Sequence, residues 1–453
     1  MVRSIPASFT LTLLVGVAAA LALVLLGIWV AGGRGERARS SLRSMAAASG
    51  WFLLSLTIYL GNGTRHLQVD TQPAAFAALS LMRHGWFDLT PFAAQVAPLW
   101  QSFALLHGAD GLTYSTYPPG STLACVPFLL PMARAPRVSQ DWLDFASKSS
   151  AACCAALSVA FVFAALRRLG LQRGAGLATV AYGFGTTLFS TASQDAWQHG
   201  TAMLGLALAL WGIALGSAAG ALLSGLAFAW AFLSRPTTLA PALLVLVYLA
   251  WQDRRRLLAL LAGALPLSAL WLHYAWRVYG SPFMTGYGYR GTEVWRYAPW
   301  TSWPRHLLGT LFSANRGIFC YSPFLLAAAA GFVWLWPELR RRREPIATAT
   351  VFALGAWPIA LYVAALGIWV GGWDYGYRVA SEFAVPMVVP LAVVAQRASA
   401  GLLAWALRAL VGIAIAIHFL EYAFPNDLWN ARADLKGQWQ VLVHLEYALG
   451  MIR

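Results

Sequence analysis

The sequence predicts an all-α integral membrane protein of about twelve transmembrane helices, and three observations carry that expectation. Of 453 residues, 59% are apolar and only 11% charged, against roughly 25% charged in a soluble domain. Stretches such as 11–30, 201–211 and 346–370 carry no charged side chain, and a helical bilayer crossing asks for ~20 apolar residues. Arginines fill short gaps between these runs, at 34, 37, 39 and 43, at 167, 168 and 173, at 254–256 and at 340–343. That is the positive-inside pattern. Barrel strands would read as short alternating segments, which these are not. The net charge of +15 therefore points to anionic membrane lipids as partners and not to nucleic acid. Cys153 and Cys154 adjoin within one helix and Cys125 and Cys320 lie far off, so neither a zinc site nor a disulfide scaffold is expected.

The elements follow in order. A first helix at 9–31 starts outside and is retained, because four arginines and no clean cleavage site follow it. A second, at 45–61, returns the chain outward. Residues 62–145 form the first large external loop; within it 73–82 reads as a short amphipathic helix, and Trp86, Phe87, Phe92 and Trp100 suit an interfacial element. Helix three (147–166) ends on arginines, and helix four (175–192) leads back out to a polar stretch at 193–200. Helices five (200–216) and six (219–233) make a tight hairpin; seven (237–251) and eight (256–275) flank the arginines at 254–256. A second external loop spans 276–317. Helices nine (318–337), ten (346–370), eleven (379–395) and twelve (400–421) complete the set and leave 422–453 as an external tail. Residues 1–453 thus read as a single membrane domain. Helices six and seven are short, and a count of ten preserves every other orientation. No internal repeat is visible.

With this topology the external loops hold nearly all the polar chemistry, whereas the internal loops hold little beyond arginine. A site therefore faces outward at the membrane surface. Five blocks mark it: Val69-Asp70-Thr71-Gln72-Pro73 with Ser80–Leu89; Tyr114-Ser115-Thr116-Tyr117-Pro118-Pro119-Gly120; Ser193-Gln194-Asp195-Ala196-Trp197-Gln198-His199-Gly200; Gly280-Ser281-Pro282-Phe283 through Tyr287, followed by 312–319; and Gly371-Gly372-Trp373-Asp374-Tyr375-Gly376-Tyr377-Arg378.

In this order the blocks resemble the GT-C superfamily of membrane glycosyltransferases that use polyprenyl-phosphate-linked sugars, which includes protein O-mannosyltransferases and the lipid A aminoarabinose transferase. The resemblance implies a GT-C-like helical bundle with amphipathic helices in its external loops, in a bacterial inner membrane with its active site facing the periplasm. It implies an inverting transfer of a sugar from a polyprenyl-phosphate donor to a periplasmic or membrane-lipid-linked glycan acceptor. The family's acidic residue in the first external loop matches Asp70, which would take the acceptor hydroxyl's proton; helix capping before Pro73 is the alternative role. Asp88 reads as a turn or cap. No acidic pair adjoins Asp70, a departure from the O-mannosyltransferase pattern, so no dedicated metal or cofactor is expected, although Asp70 with Asp195 or Glu293 could still assemble a divalent-metal site in space.

A leaving phosphate calls for guanidinium groups at helix starts. Arg378 and Arg316 are the first candidates and Arg290 the third, with His199 beside them. Tyr375 and Tyr377, flanking Gly376, together with Tyr117, Asp195 and Glu293, are candidates for sugar or acceptor contacts; rings at loop ends also serve as interfacial anchors. Two other classes remain: a transporter or flippase for lipid-linked glycans, which would place polar groups in mid-span, and a non-catalytic envelope-assembly subunit, which would tolerate loss of Asp70.

Overall fold

The computed structural model describes residues 36–63, 69–101, 103–289, 297–367, 369–372 and 374–452. The expected first helix at 9–31 lies outside them. Among the described residues the chain is mostly helical, with one antiparallel hairpin of β1 (Leu105–His107) and β2 (Thr113–Ser115). Six helical stretches among the described residues are long and apolar enough to cross a membrane by length and composition. In chain order the main helices are α1 (Glu36–Gly61), α2 (Gln72–His84), α3 (Gly120–Leu129), α4 (Gln140–Arg168), α5 (Gln172–Phe184), α6 (Gln198–Leu215), α7 (Ala218–Ser234), α8 (Leu239–Gln252) and α9 (Arg254–Tyr279). They continue as α10 (Trp303–Phe312), α11 (Phe324–Ala330), α12 (Phe332–Arg340), α13 (Ile346–Leu354), α14 (Ala356–Ala365), α15 (Ala384–Arg397), α16 (Gly401–Ala423) and α17 (Gln440–Ala448). The six crossings are α4, α6, α9, α13 with α14, α15 with the 3₁₀ turn Arg378–Phe383, and α16.

Burial sorts these crossings into layers. The apolar windows of α4 and α15 are 94% buried, so both stand at the centre, whereas those of α9 and α16 are 22% and 33% buried. The outer two turn Leu258, Leu265 and Trp276, and Leu402, Trp405 and Ile413, away from the protein, as a lipid-facing surface does. The chain is an all-α membrane protein on these grounds.

Local chemistry explains the turns. Gly216, at φ +65°, ends α6 in a left-handed residue, and Ser217 Oγ accepts from Gly220 N–H to start α7, which makes the expected tight hairpin. Asp253 caps α9 in the same way by accepting from Arg256 N–H at 3.1 Å.

The structure departs from the sequence reading in four places. Helix four stops at Phe184, because Thr186 Oγ1 donates to the Tyr182 carbonyl and accepts from Leu188 N–H, which diverts the helix into a π turn at Leu188–Ala192. Helix nine is broken into Ile318–Tyr321, α11 and α12 at Pro323 and Gly331. Helix ten ends at Ala365, with a joint at Gly355, where a Cβ would lie 2.5 Å from Pro241 Cα. The loop at 62–145 is largely folded: the expected helix at 73–82 is α2, buried from Pro73 through Ser80, and α3 is a second, unanticipated helix.

The helices present two chemically distinct ends. One gathers the arginine-rich turns: Arg256 Nη1 meets Glu344 Oε2 at 3.0 Å, and Pro345 packs against Gly216. The other gathers the first residues of α2, α4, α6, α15 and the 3₁₀ turn before it, with the chain after α16 folded over them.

Candidate functional site

Asp70 stands just before α2, whose first turn is started by Pro73. Its carboxylate is about one-third exposed and lies 3.8 Å from Arg378 Nη1. Arg378 is held from two other sides: its Nε donates to Asp374 Oδ2 at 2.8 Å, and its guanidinium carbon sits 3.9 Å above the Trp197 ring. A buried guanidinium between two carboxylates and an aromatic face has its charge compensated and its plane fixed. Tyr117 joins the group; burial first, and then the nearby Asp70 carboxylate, push its hydroxyl well above the usual phenol range. Tyr117 packs edge-on to Tyr287 at 6.0 Å between ring centres. Burial pushes the Tyr287 hydroxyl up to about 12, and Gln198 donates to it. Both phenols are thus neutral hydrogen-bonding groups at neutral pH.

A second charged group is buried next to the first. His199 Nδ1 lies 2.9 Å from Glu382 Oε1, Arg235 Nη1 lies 3.6 Å from the same oxygen and against the His199 ring, and Arg235 Nη2 donates to the Val379 carbonyl at 2.7 Å. The start of α6, the end of α7 and the turn carrying Arg378 are tied together this way. Asp195 is almost wholly enclosed and accepts from the Thr71 and Ser147 hydroxyls and from Ala196 N–H. Because Thr71 adjoins Asp70, this carboxylate anchors the loop that presents Asp70.

Of the phosphate candidates, Arg378 is the one beside Asp70. Arg316 is committed elsewhere: it donates to the carbonyls of Val370, Asp374 and Asn315 and to Gln440 Oε1, and it pairs with Asp374 Oδ1 at 3.1 Å. Its guanidinium clamps the 370–374 loop to the tail. His199 reaches the site through Arg235 and Glu382. Tyr375 and Tyr377 turn inward: the Tyr375 hydroxyl donates to the Ile417 carbonyl at 2.8 Å, and that of Tyr377 meets Ser322 Oγ at 2.8 Å. They are thus turned away from the Asp70 side, where the tyrosines present are Tyr117, itself an expected candidate, and Tyr287. Arg290 and Glu293 lie outside the described residues.

Several members were not among the sequence candidates. Arg235, at the end of α7, and Glu382, in the turn before α15, are two of these. Lys148, buried in α4 and bonded to Gln194 Oε1 and Asn62 Oδ1, is one of two lysines in the chain, a signal the sequence did hold. Asp374 precedes Arg378 by four residues, which is the spacing of a helical ion pair. Gln440 had no local signal. A polar cleft, about 380 Å³ with its open mouth, adjoins Trp197 and Asp374 and is walled on the far side by Glu421, Asn430 and Gln440. Compared with protein-family models, curated proteins and solved structures, the chain matches none of them significantly.

Proposed function

We propose that the chain is an inverting membrane glycosyltransferase that takes a sugar from a polyprenyl-phosphate donor and passes it to a hydroxyl of a glycan or lipid-linked acceptor. The observation that carries the reading is the 3.8 Å approach of a partly exposed carboxylate, Asp70, to a buried and fixed guanidinium, Arg378, at the polar end of an apolar helical bundle. A base and an anion receptor side by side suit this reaction. Asp70 takes the acceptor O–H proton, the oxygen attacks the anomeric carbon from the face opposite the phosphate, and the carbon–oxygen bond to phosphate breaks as the electron pair leaves on polyprenyl phosphate. Arg378 meets that growing negative charge. Tyr117 and Tyr287 offer the sugar neutral donors and an aromatic edge.

The GT-C resemblance in the five sequence blocks supports the same assignment. The arginine-rich end facing the cytoplasm would set the site at the periplasmic surface of a bacterial inner membrane. A transporter is less well supported, because Asp195, His199, Arg235, Glu382 and Arg378 gather at one end of the bundle instead of lining its middle.

The test is sugar transfer by purified protein from polyprenyl-phosphate sugars to a glycan acceptor. Asp70→Asn should abolish turnover while yield and thermal stability stay near wild type. Retained turnover would remove Asp70 as the base.

A further inference from the structure

The chain beyond α16 is folded into the site. Asn430 and Gln440, 8% and 0% exposed, lie against the loop that carries Asp374 and Arg378. Gln440 Oε1 accepts from Arg316 Nη1 at 2.8 Å, from the Tyr321 hydroxyl at 3.0 Å and from Gly376 N–H at 3.1 Å; its Nε2 donates to the Asp374 carbonyl at 2.8 Å. Three donors converge on one oxygen and a carbonyl meets the opposite nitrogen, so a single amide orientation satisfies the set. The backbone N–H of Gln440 is itself taken by Asn315 Oδ1 at 2.8 Å, and Asn430 Nδ2 donates to the same Asp374 carbonyl at 3.3 Å.

We infer that Gln440 is a positioning residue for Arg378: through one buried amide the C-terminal tail sets the 374–378 loop so that the guanidinium stands beside Asp70. Gln440 grips the loop on both sides of Tyr375, at Asp374 and at Gly376. Gly376 is left-handed, at φ +61°, and a Cβ there would lie 2.8 Å from the Tyr321 ring, so this backbone shape, which brings its N–H to Gln440, suits glycine. The chain of contacts then runs from the held Asp374 main chain to its carboxylate, from that carboxylate to Arg378 Nε at 2.8 Å, and from Arg378 Nη1 towards Asp70. A side chain aimed this way loses function with small displacements of its support. The inference rests on the proposed reading, in which Arg378 receives the donor phosphate.

The experiment measures binding of undecaprenyl phosphate, and of undecaprenol as the phosphate-free probe, to the full chain in lipid nanodiscs. Gln440→Met keeps the length and removes the hydrogen bonds. It should weaken undecaprenyl phosphate binding by about tenfold or more and leave undecaprenol binding near wild type, while the unfolding temperature falls because the buried donors of Arg316, Tyr321 and Gly376 lose their acceptor. Gln440→Glu, which keeps the accepting oxygen and loses the donor to Asp374, should fall between Gln440→Met and wild type, and it carries the comparison if the methionine variant does not fold. If Gln440→Met and Gln440→Glu bind like wild type while Arg378→Ala loses the phosphate, the positioning role is wrong and the proposed function stands. If Arg378→Ala also binds like wild type, the donor reading fails and takes this inference with it. Equal loss of both probes in the folded Gln440 variants would make the tail a fold element only.

Discussion

Arg378 and His444 show how single residues set the charge balance of the polar end. Arg378 faces two carboxylates, Asp374 and Asp70, yet Asp374 has a second cation in Arg316. Removing Arg378 therefore leaves Asp374 paired and strips the proposed anion receptor. Arg378→Ala should weaken undecaprenyl phosphate binding by about 2–5 kcal/mol, the cost of losing a buried charged partner, as read by titration calorimetry; unchanged affinity would assign this arginine to architecture. His444, in the tail, sits 2.6 Å from Glu421 at the end of α16. Burial disfavours its imidazolium, but the Glu421 carboxylate beside it outweighs that, and His444 titrates above the ordinary imidazole value. A folded-state value raised above the unfolded one contributes stability that is complete below the unfolded value and is lost as pH rises through the folded one. The unfolding temperature should therefore decline as pH climbs from about 6.5, and His444→Gln should flatten that decline. Matching slopes in the two proteins would place the titration at another group.

Among the elements, the crossing of α7 and α9 depends on two glycines. A Cβ at Gly225 would overlap the Leu260 carbonyl oxygen, and one at Gly263 the Leu222 carbonyl oxygen, so each helix lets the other's backbone into its surface. In lipid, where water no longer drives apolar faces together, such close backbone approach is a main source of helix association. Gly263→Leu should force the pair apart and cost about 1–3 kcal/mol, seen as a lower unfolding temperature in detergent, whereas Gly412→Leu on α16, where nothing lies within 4 Å of an added Cβ, serves as the control. The breaks in the expected long helices have equally specific causes. Pro323 and Gly331 divide helix nine, and the Gly355 joint lets Pro241 approach the α13–α14 line. Hydropathy averaged over such a stretch reports that it is apolar, and the joints lie within it unseen.

For the whole molecule, the segregation of charge between two ends is the property that would orient it in a membrane. Arg341 and Asp427 are both exposed and lie at opposite ends. In intact spheroplasts, an impermeant maleimide should label Asp427→Cys and spare Arg341→Cys; the reverse would turn the proposed site toward the cytoplasm. Much of this organisation was legible in the chain. The apolar runs named the helices, the arginine clusters named one end, and the block at 371–378 located the arginine that stands beside Asp70. What the chain did not disclose was which loop residues face one another. Arg316 and Arg378 look alike in sequence, each at a helix start, yet one is spent on carbonyls and the other meets Asp70. Tyr375 and Tyr377 adjoin the decisive arginine and still turn inward. Gln440 reaches the site from a tail with no local mark. Composition and periodicity depend on the average environment of a segment, so the sequence alone determined an all-α membrane protein with its polar chemistry at segment ends. Pairing of side chains depends on where separate segments are brought together, and only tertiary packing decided that Asp70, Arg378, Asp374 and Gln440 form one connected group.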